Sequence, residues 1–300
     1  MKNPEVCSPP LTKPLRKTMF QKKQKIIVIL GQTATGKSDL AVKIAKRING
    51  EVISADSRQV YRGLNIGTGK ISVKEMRGVP HHLLDVVNPR RIFTVAEYKE
   101  LAEKKIAEII ARGKTPIICG GSGFYIDALT KGINFPEVPP NMRLRKQLTE
   151  KSAIALFLVL KKLDPRRAKK IDPKNKVRLI RAIEIAKALG KVHHLVLRPP
   201  SYEFIKIGLY LPPEKLKMRI EKRVKKMFAD GLLKEIKNLK KAGVSNSRLK
   251  ELGFEYFNPN YETLVKQTLK YAKRQMMWFK RDKEIKWFDA SEKKDIMEKL

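Results

Sequence analysis

Cysteine is scarce in this chain: two in 300 residues, Cys7 and Cys119. Two are too few for a disulfide framework or a zinc site, and a reducing cytoplasm is the simple expectation. Long apolar runs are missing as well. No stretch approaches the ~18 to 20 residues that span a bilayer, so no membrane span is expected. The first residues are rich in Lys and Pro and hold no apolar segment of the kind found in a secretory leader. The third shortage is acid. Asp and Glu number 30 against 66 Lys and Arg, for a formal charge of +36. An ordinary soluble enzyme does not need that imbalance. It points to a polyanionic partner, with nucleic acid as the default and an anionic membrane surface as the weaker alternative.

What is present suffices for a folded enzyme. A hydrophobic share of 42% supports a real core, and the length suits one large domain with an insertion or two modest ones. Gly31-Gln32-Thr33-Ala34-Thr35-Gly36-Lys37-Ser38 fits G-x-x-x-x-G-K-[ST] and follows the apolar run Ile26-Ile27-Val28-Ile29-Leu30. That context is a strand feeding a phosphate-binding loop and then a helix. Gly31 and Gly36 let the backbone wrap an anion, and the N–H groups of Thr33, Ala34 and Thr35 and of the helix start can point at it. Lys37 adds a mobile positive charge. The Ser38 hydroxyl is placed to hold Mg²⁺. The loop says that a polyphosphate binds here, without saying which one.

Residues 1–24 carry four prolines and one acidic residue, Glu5, and read as a disordered tail. A strand is expected over 26–30, a helix to about Ile48, and a second strand over 51–55 that ends at Asp56. Thr94-x-x-Glu97 is a capping box for a helix running to about Arg112, stopped by Gly113. Thr115-Pro116-Ile117-Ile118-Cys119 is a third strand. Strands alternating with helices mean a parallel sheet with crossovers. Pro136, Pro139 and Pro140 then mark a change of character. The apolar run 154–160 is ambiguous and leans towards helix. Residues 203–211 return as a strand, a helical region follows to about Arg281, and 285–288 is an edge strand. The expected architecture is an α/β fold, a P-loop NTPase-like parallel sheet formed by 25–134 and 201–300. A mainly helical, basic insertion occupies 135–200.

In such sheets ligands gather at the carboxyl ends of the strands. Three strand ends here are polar: the phosphate loop, Asp56-Ser57-Arg58-Gln59, and Gly120-Gly121-Ser122-Gly123. Asp56 permits two active roles, holding Mg²⁺ through water or acting as a general base. The plain alternative is that it caps a helix. Pro80-His81-His82 is an extended segment whose histidines point opposite ways, which suits structure at the rim of the pocket better than a metal. Arg178 and Arg181 lie three apart on one helix, either as a solvated face paired with Glu184 or as a phosphate-contacting face. Arg219 and Arg223 lie four apart on another, with Lys222, Lys225 and Lys226 nearby. The last long helix mixes Lys273 and Arg274 with Tyr271, Trp278 and Phe279, a pattern that suits nucleic acid.

These elements, with Gly67-Thr68, Pro80 to Asp85, Arg178 to Glu184 and Tyr271-Ala272-Lys273-Arg274-Gln275-Met276-Met277-Trp278-Phe279, run in order over about 26–289. In that order the chain resembles the tRNA dimethylallyltransferases. It departs from them at Gln32, where the family usually has Pro, and at Ser122, where it usually has Thr. The resemblance implies transfer of a dimethylallyl group from its diphosphate to N6 of the adenine just 3′ of the anticodon (A37), with Mg²⁺ as cofactor. It implies a monomer whose partners are the tRNA anticodon stem-loop and dimethylallyl diphosphate. The phosphate loop would hold the leaving diphosphate, with Lys37 and Arg223 neutralising its charge. Asp56 would take the amine proton, Ser122 would assist it, and Gln59 would read the base edge of an adenine flipped from its stack. Asp56, Ser57, Arg58 and Gln59 would then meet the tRNA, as would Val177, Arg178, Leu179, Ile180 and Arg181 on the insertion and Lys273 and Arg274 on the last helix. Two rivals share parts of this pattern. A nucleotide or small-molecule kinase shares the loop but not the charge, and a non-catalytic nucleic-acid binder leaves the polar strand ends without purpose.

Overall fold

Ile26, Val28, Ile29 and Leu30 are shielded almost completely from solvent, as befits a strand covered on both faces. They lie in β1 (Lys25–Gly31), at the centre of a computed structural model that describes residues 23–190 and 201–292. The expected tail over 1–24 lies outside those residues, save its last two, and so does the end of the expected insertion. After β1 come α1 (Lys37–Arg47), β2 (Gly50–Ser54), α2 (Val73–Met76), β3 (His81–His82), α3 (Val95–Ala111), β4 (Thr115–Cys119) and α4 (Gly123–Thr130). Four helices follow, α5 (Met142–Thr149), α6 (Ala153–Leu163), α7 (Pro165–Ala168) and α8 (Lys176–Leu189). The chain then returns to the sheet as β5 (Glu203–Tyr210). It ends with α9 (Pro213–Ala229), α10 (Leu232–Lys241), α11 (Asn246–Leu252), a 3-10 turn at Phe254–Tyr256, α12 (Tyr261–Phe279) and β6 (Lys286–Asp289).

All six strands are parallel, in the order β3-β2-β4-β1-β5-β6. The register levels their carboxyl ends. Cys119 of β4 faces both Ile29 of β1 and Ser54 of β2. The loops leaving these three strands are therefore neighbours, which is what a shared site requires.

Local signals explain the element ends. Thr94 Oγ1 accepts the Glu97 N–H while the Glu97 carboxylate accepts the Thr94 N–H, and Gly113 takes a φ of 69° just past α3. After α1 the left-handed residue is Asn49, at φ 51°. Gly50 serves a different need: in β2 a Cβ there would meet the Thr115 carbonyl at 2.9 Å. The ambiguous run 154–160 is helical, capped by Ser152, whose Oγ accepts the Ala155 N–H.

Helices α5 to α8 have a core of their own, built on Leu148, Leu156, Leu160, Leu179 and Ile183. Each fully buried leucine stabilises by about 1.5–3 kcal/mol. Glu184 ties it together, accepting the Asn141 N–H at 2.6 Å, two bonds from Arg145 and one from Arg181 at 2.5 Å. Burial opposes its charge, yet these donors hold the carboxyl down to about 2. At the far sheet edge, His82 Nε2 meets Glu51 Oε2 at 2.6 Å, and Arg112 and Lys114 complete the cluster. The histidine pair thus serves the sheet edge. No group of three or more His, Cys, Asp or Glu among the described residues could hold a metal. Nor is any helix there long and apolar enough to cross a membrane.

Candidate active site

A cavity of about 420 Å³ opens where the β1, β2 and β4 loops meet α9 and α12. Thr33, Ala34, Gly36, Lys37 and Ser38 line one side, Asp56, Arg58 and Gln59 another, and Arg219, Lys222, Arg223 and Lys226 a third. The phosphate loop starts with Gly31, at φ 131°, where a Cβ would lie 2.1 Å from the Leu209 carbonyl. Gly36 caps α1 in the left-handed region and offers no side chain, which leaves the helix's first N–H groups for a ligand. Lys37 Nζ donates to the Gln32 carbonyl at 2.6 Å. Burial lowers its pKa to about 8. Cys119 closes the floor beside Lys37 and Ser38, and burial pushes its thiol up to about 11, so it is present as a thiol.

Asp56 caps its own loop, over a turn rather than the helix its plain reading expected. Its Oδ1 accepts the backbone N–H of Arg58 at 2.9 Å and of Gln59 at 3.3 Å, which caps the turn. Oδ2 takes no protein hydrogen bond among the described residues, and the side chain lines the cavity. One oxygen holds the loop and the other faces the cavity. Across the cavity Arg223 donates to the Thr68 carbonyl at 2.9 Å and to Thr33 Oγ1 at 3.3 Å. Burial lowers its pKa without discharging it, since a guanidinium stays protonated in proteins. The result is a cationic wall opposite a carboxylate.

A family model described as IPP transferase matches residues 59–282. The chain belongs to the IPP transferase family. It is 39% identical to the tRNA dimethylallyltransferase of Halothermothrix orenii, with 94% of this chain and 92% of that protein covered. It is 41% identical to the one from Acetivibrio thermocellus, covering 89% and 94%. Among solved structures it matches the full-length tRNA isopentenylpyrophosphate transferase of Bacillus halodurans at a TM-score of 0.68 and 37% identity, covering 92% and 94%. It also matches a eukaryotic dimethylallyltransferase acting on tRNA at a TM-score of 0.73 and 27% identity, covering 89% of this chain and 74% of that one.

Several expected site residues of this chain stand elsewhere than the cavity wall. Ser122 does not line it: its Oγ accepts the Ser57 N–H at 2.9 Å and meets Ser57 Oγ at 3.2 Å, tying the β4 loop to the Asp56 loop. Ser122 and Ser57 therefore position Asp56's turn. Thr35 is fully buried and bonds within its own loop to the Gln32 carbonyl at 2.8 Å. Arg58 is held by the Glu255 carboxylate at 2.5 and 2.7 Å, with its guanidinium over the rings of Phe254 and Tyr271. That ion pair, not an open cation, is what it contributes to the wall. On α8, Leu179 is fully buried in the small core and does not offer its side chain to a partner, while Ile180 packs against that core and stays partly exposed. Arg181 is engaged by Glu184 and the Val138 carbonyl, whereas Val177 and Arg178 are exposed. Lys273 and Arg274 are exposed on α12 and away from the cavity lining, with Arg274 over the Tyr271 ring.

One buried residue had no assigned role. Gln275 Oε1 accepts the Thr33 N–H at 2.7 Å and its Nε2 donates to the Gly121 carbonyl at 2.9 Å. It bolts the phosphate loop to the β4 loop. Gly121 is small because a Cβ there would sit 2.2 Å from that amide. Gln275→Ala strands two backbone groups, each costing about 1–3 kcal/mol when left unmade. Denaturant unfolding should show a loss of about 2–4 kcal/mol. A loss under half a kcal/mol would mean that water replaces the amide.

Proposed function

We propose that this chain transfers a dimethylallyl group from its diphosphate to N6 of the adenine 3′ of the anticodon in tRNA. The observation that carries the reading is the open Asp56 Oδ2 facing, across one cavity, the Lys37 and Arg223 cations of a phosphate site. The donor's diphosphate fits the phosphate loop. Lys37 and Arg223 neutralise the charge that grows on it as the C1–O bond breaks. The adenine N6 lone pair is delocalised into the ring, so the amine is a poor nucleophile. Asp56 takes its proton as the new C–N bond forms, and diphosphate leaves with the C–O electron pair. The base must be flipped out to reach Asp56.

Ser38 is a single hydroxyl donor beside the phosphate loop, which suits Mg²⁺ held mainly by phosphate oxygens and water rather than by a protein cage. Bound there, the ion would offset diphosphate charge. The exposed Val177 and Arg178, with Lys273 and Arg274, are the surfaces we assign to the stem-loop, and residues 135–200 form the insertion that carries the first pair. We read the chain as a monomer, and the tRNA acceptor puts the work in the cytoplasm.

The direct test is transfer of radiolabelled dimethylallyl from its diphosphate to an unmodified anticodon stem-loop, with a guanine-substituted loop as control. Label on the adenine loop alone supports the reading. No label, with ATP consumed on a small acceptor, would make this a kinase. Affinity for the stem-loop should also fall steeply with salt. If about six phosphates are neutralised, it drops roughly 10³-fold between 50 and 200 mM. A flat response in filter binding would exclude a basic clamp.

A further inference from the structure

Glu235 of α10 is 8% exposed and does not line the cavity. Its Oε2 accepts the backbone N–H of Asn65 at 2.9 Å and of Ile66 at 2.8 Å. Its Oε1 accepts the Gly67 N–H at 3.1 Å and the Tyr256 hydroxyl at 3.0 Å. Four donors therefore converge on one buried carboxylate. Three of them come from consecutive residues of the loop that leads into Thr68 and Gly69.

That loop is braced internally. Gly69 N–H reaches the Ile66 carbonyl and Lys70 N–H the Asn65 carbonyl, each at 2.9 Å, while Thr68 Oγ1 donates to the Leu64 carbonyl at 2.6 Å. It packs tightly on both sides. A Cβ at Gly67 would lie 2.7 Å from the Tyr256 ring, and one at Gly69 would lie 2.2 Å from Arg223 Nη2. What the loop presents to the cavity is the Thr68 carbonyl, the partner of Arg223 Nη2 at 2.9 Å. The guanidinium's bond to Thr33 Oγ1 is longer, at 3.3 Å. Arg223 thus takes its aim from Thr68, and Thr68 takes its place from Glu235.

The chemistry at Glu235 asks for a carboxylate. Consecutive N–H groups curled around one point form a nest for an anion. A carboxylate accepts on both oxygens, whereas an amide would turn its own NH₂ donors against them.

We propose that Glu235 is a positioning residue: it sets the 64–69 loop so that the Thr68 carbonyl aims Arg223 at the donor's diphosphate. This rests on the reading that Arg223 meets that diphosphate. The test is calorimetric binding of inorganic diphosphate with excess Mg²⁺ to the full chain, to Glu235→Gln, to Arg223→Ala and to the double variant. Arg223→Ala should weaken binding roughly 10- to 100-fold, the loss of a charge-assisted contact. Glu235→Gln should weaken it about tenfold on its own and by less than about twofold in the Arg223→Ala background, because coupled sites are not additive.

If Arg223→Ala binds as tightly as the parent, the reading of Arg223 fails and takes this one with it. If Arg223→Ala weakens binding but Glu235→Gln does not, or weakens it equally in both backgrounds, only the role of Glu235 is overturned. Should Glu235→Gln fail to fold by circular dichroism, Tyr256→Phe replaces it, removing one of the four donors. A loss of a few-fold is then expected in the parent and none in the Arg223→Ala background. An equal loss in both, or none in either, overturns the proposal.

Discussion

Asp56→Asn will lower the rate of prenyl transfer by about 10²- to 10⁴-fold, the range for losing a positioned general base, while stem-loop affinity changes by no more than a few-fold. Asparagine is the clean substitution here. It keeps an Oδ1 that can accept from Arg58 N–H and Gln59 N–H, so the turn stays formed. What it cannot do is take a proton at the second atom. Asp56→Ala removes the turn's acceptor as well and should lose more stability for a similar loss of rate. Single-turnover transfer and filter binding on the same preparations separate the two quantities. A large fall in affinity with Asp56→Asn would make the residue a binding group rather than a base.

Lys37→Ala will cost about 10²- to 10³-fold in kcat/KM for the donor, comparable to deleting one preorganised charge from a transition-state site. The same residue sets a pH dependence. Its pKa is lowered to about 8 by burial, so in the free enzyme the ammonium is present at pH 7 and largely lost by pH 9.5. Affinity for inorganic diphosphate should therefore fall as pH rises through about 8, and diphosphate binding at pH 8 should be accompanied by proton uptake. In Lys37→Ala the decline across that window should vanish. If the parent binds equally at pH 7 and 9.5, Lys37 carries no charge to the ligand.

Much of this site could be read from short-range pattern. The phosphate loop, the Thr94–Glu97 box and the 115–119 strand depend on residues a few positions apart, and the structure has them where that pattern puts them. Leu179, expected above among the tRNA contacts, carried a local signal for burial instead. With Ala182, Ile183 and Ala186 it makes an apolar stripe at helical spacing, which marks a buried face rather than an RNA contact. The rest was not local. Arg58 looks like a free cation until Glu255, almost two hundred residues on, is seen to hold it. Gln275 stood in a recognised run, but its two partners lie 242 and 154 positions away. Glu235 offered no motif, because the donors it collects are backbone groups with no identity of their own.

Gln275 meets Thr33 across 242 positions, and β1 pairs with β5 along its whole length, Lys25 opposite Glu203 and Gly31 opposite Leu209. A nascent chain makes the phosphate loop almost at once and its closing partners last. At synthesis rates of about 5–20 residues per second, roughly 10 to 50 s separate the two. Until β5 emerges, the edge of β1 destined for it is bare, an invitation to mispairing. The ribosome cannot display a working enzyme in halves. Activity should arrive only with the release of a nearly finished chain.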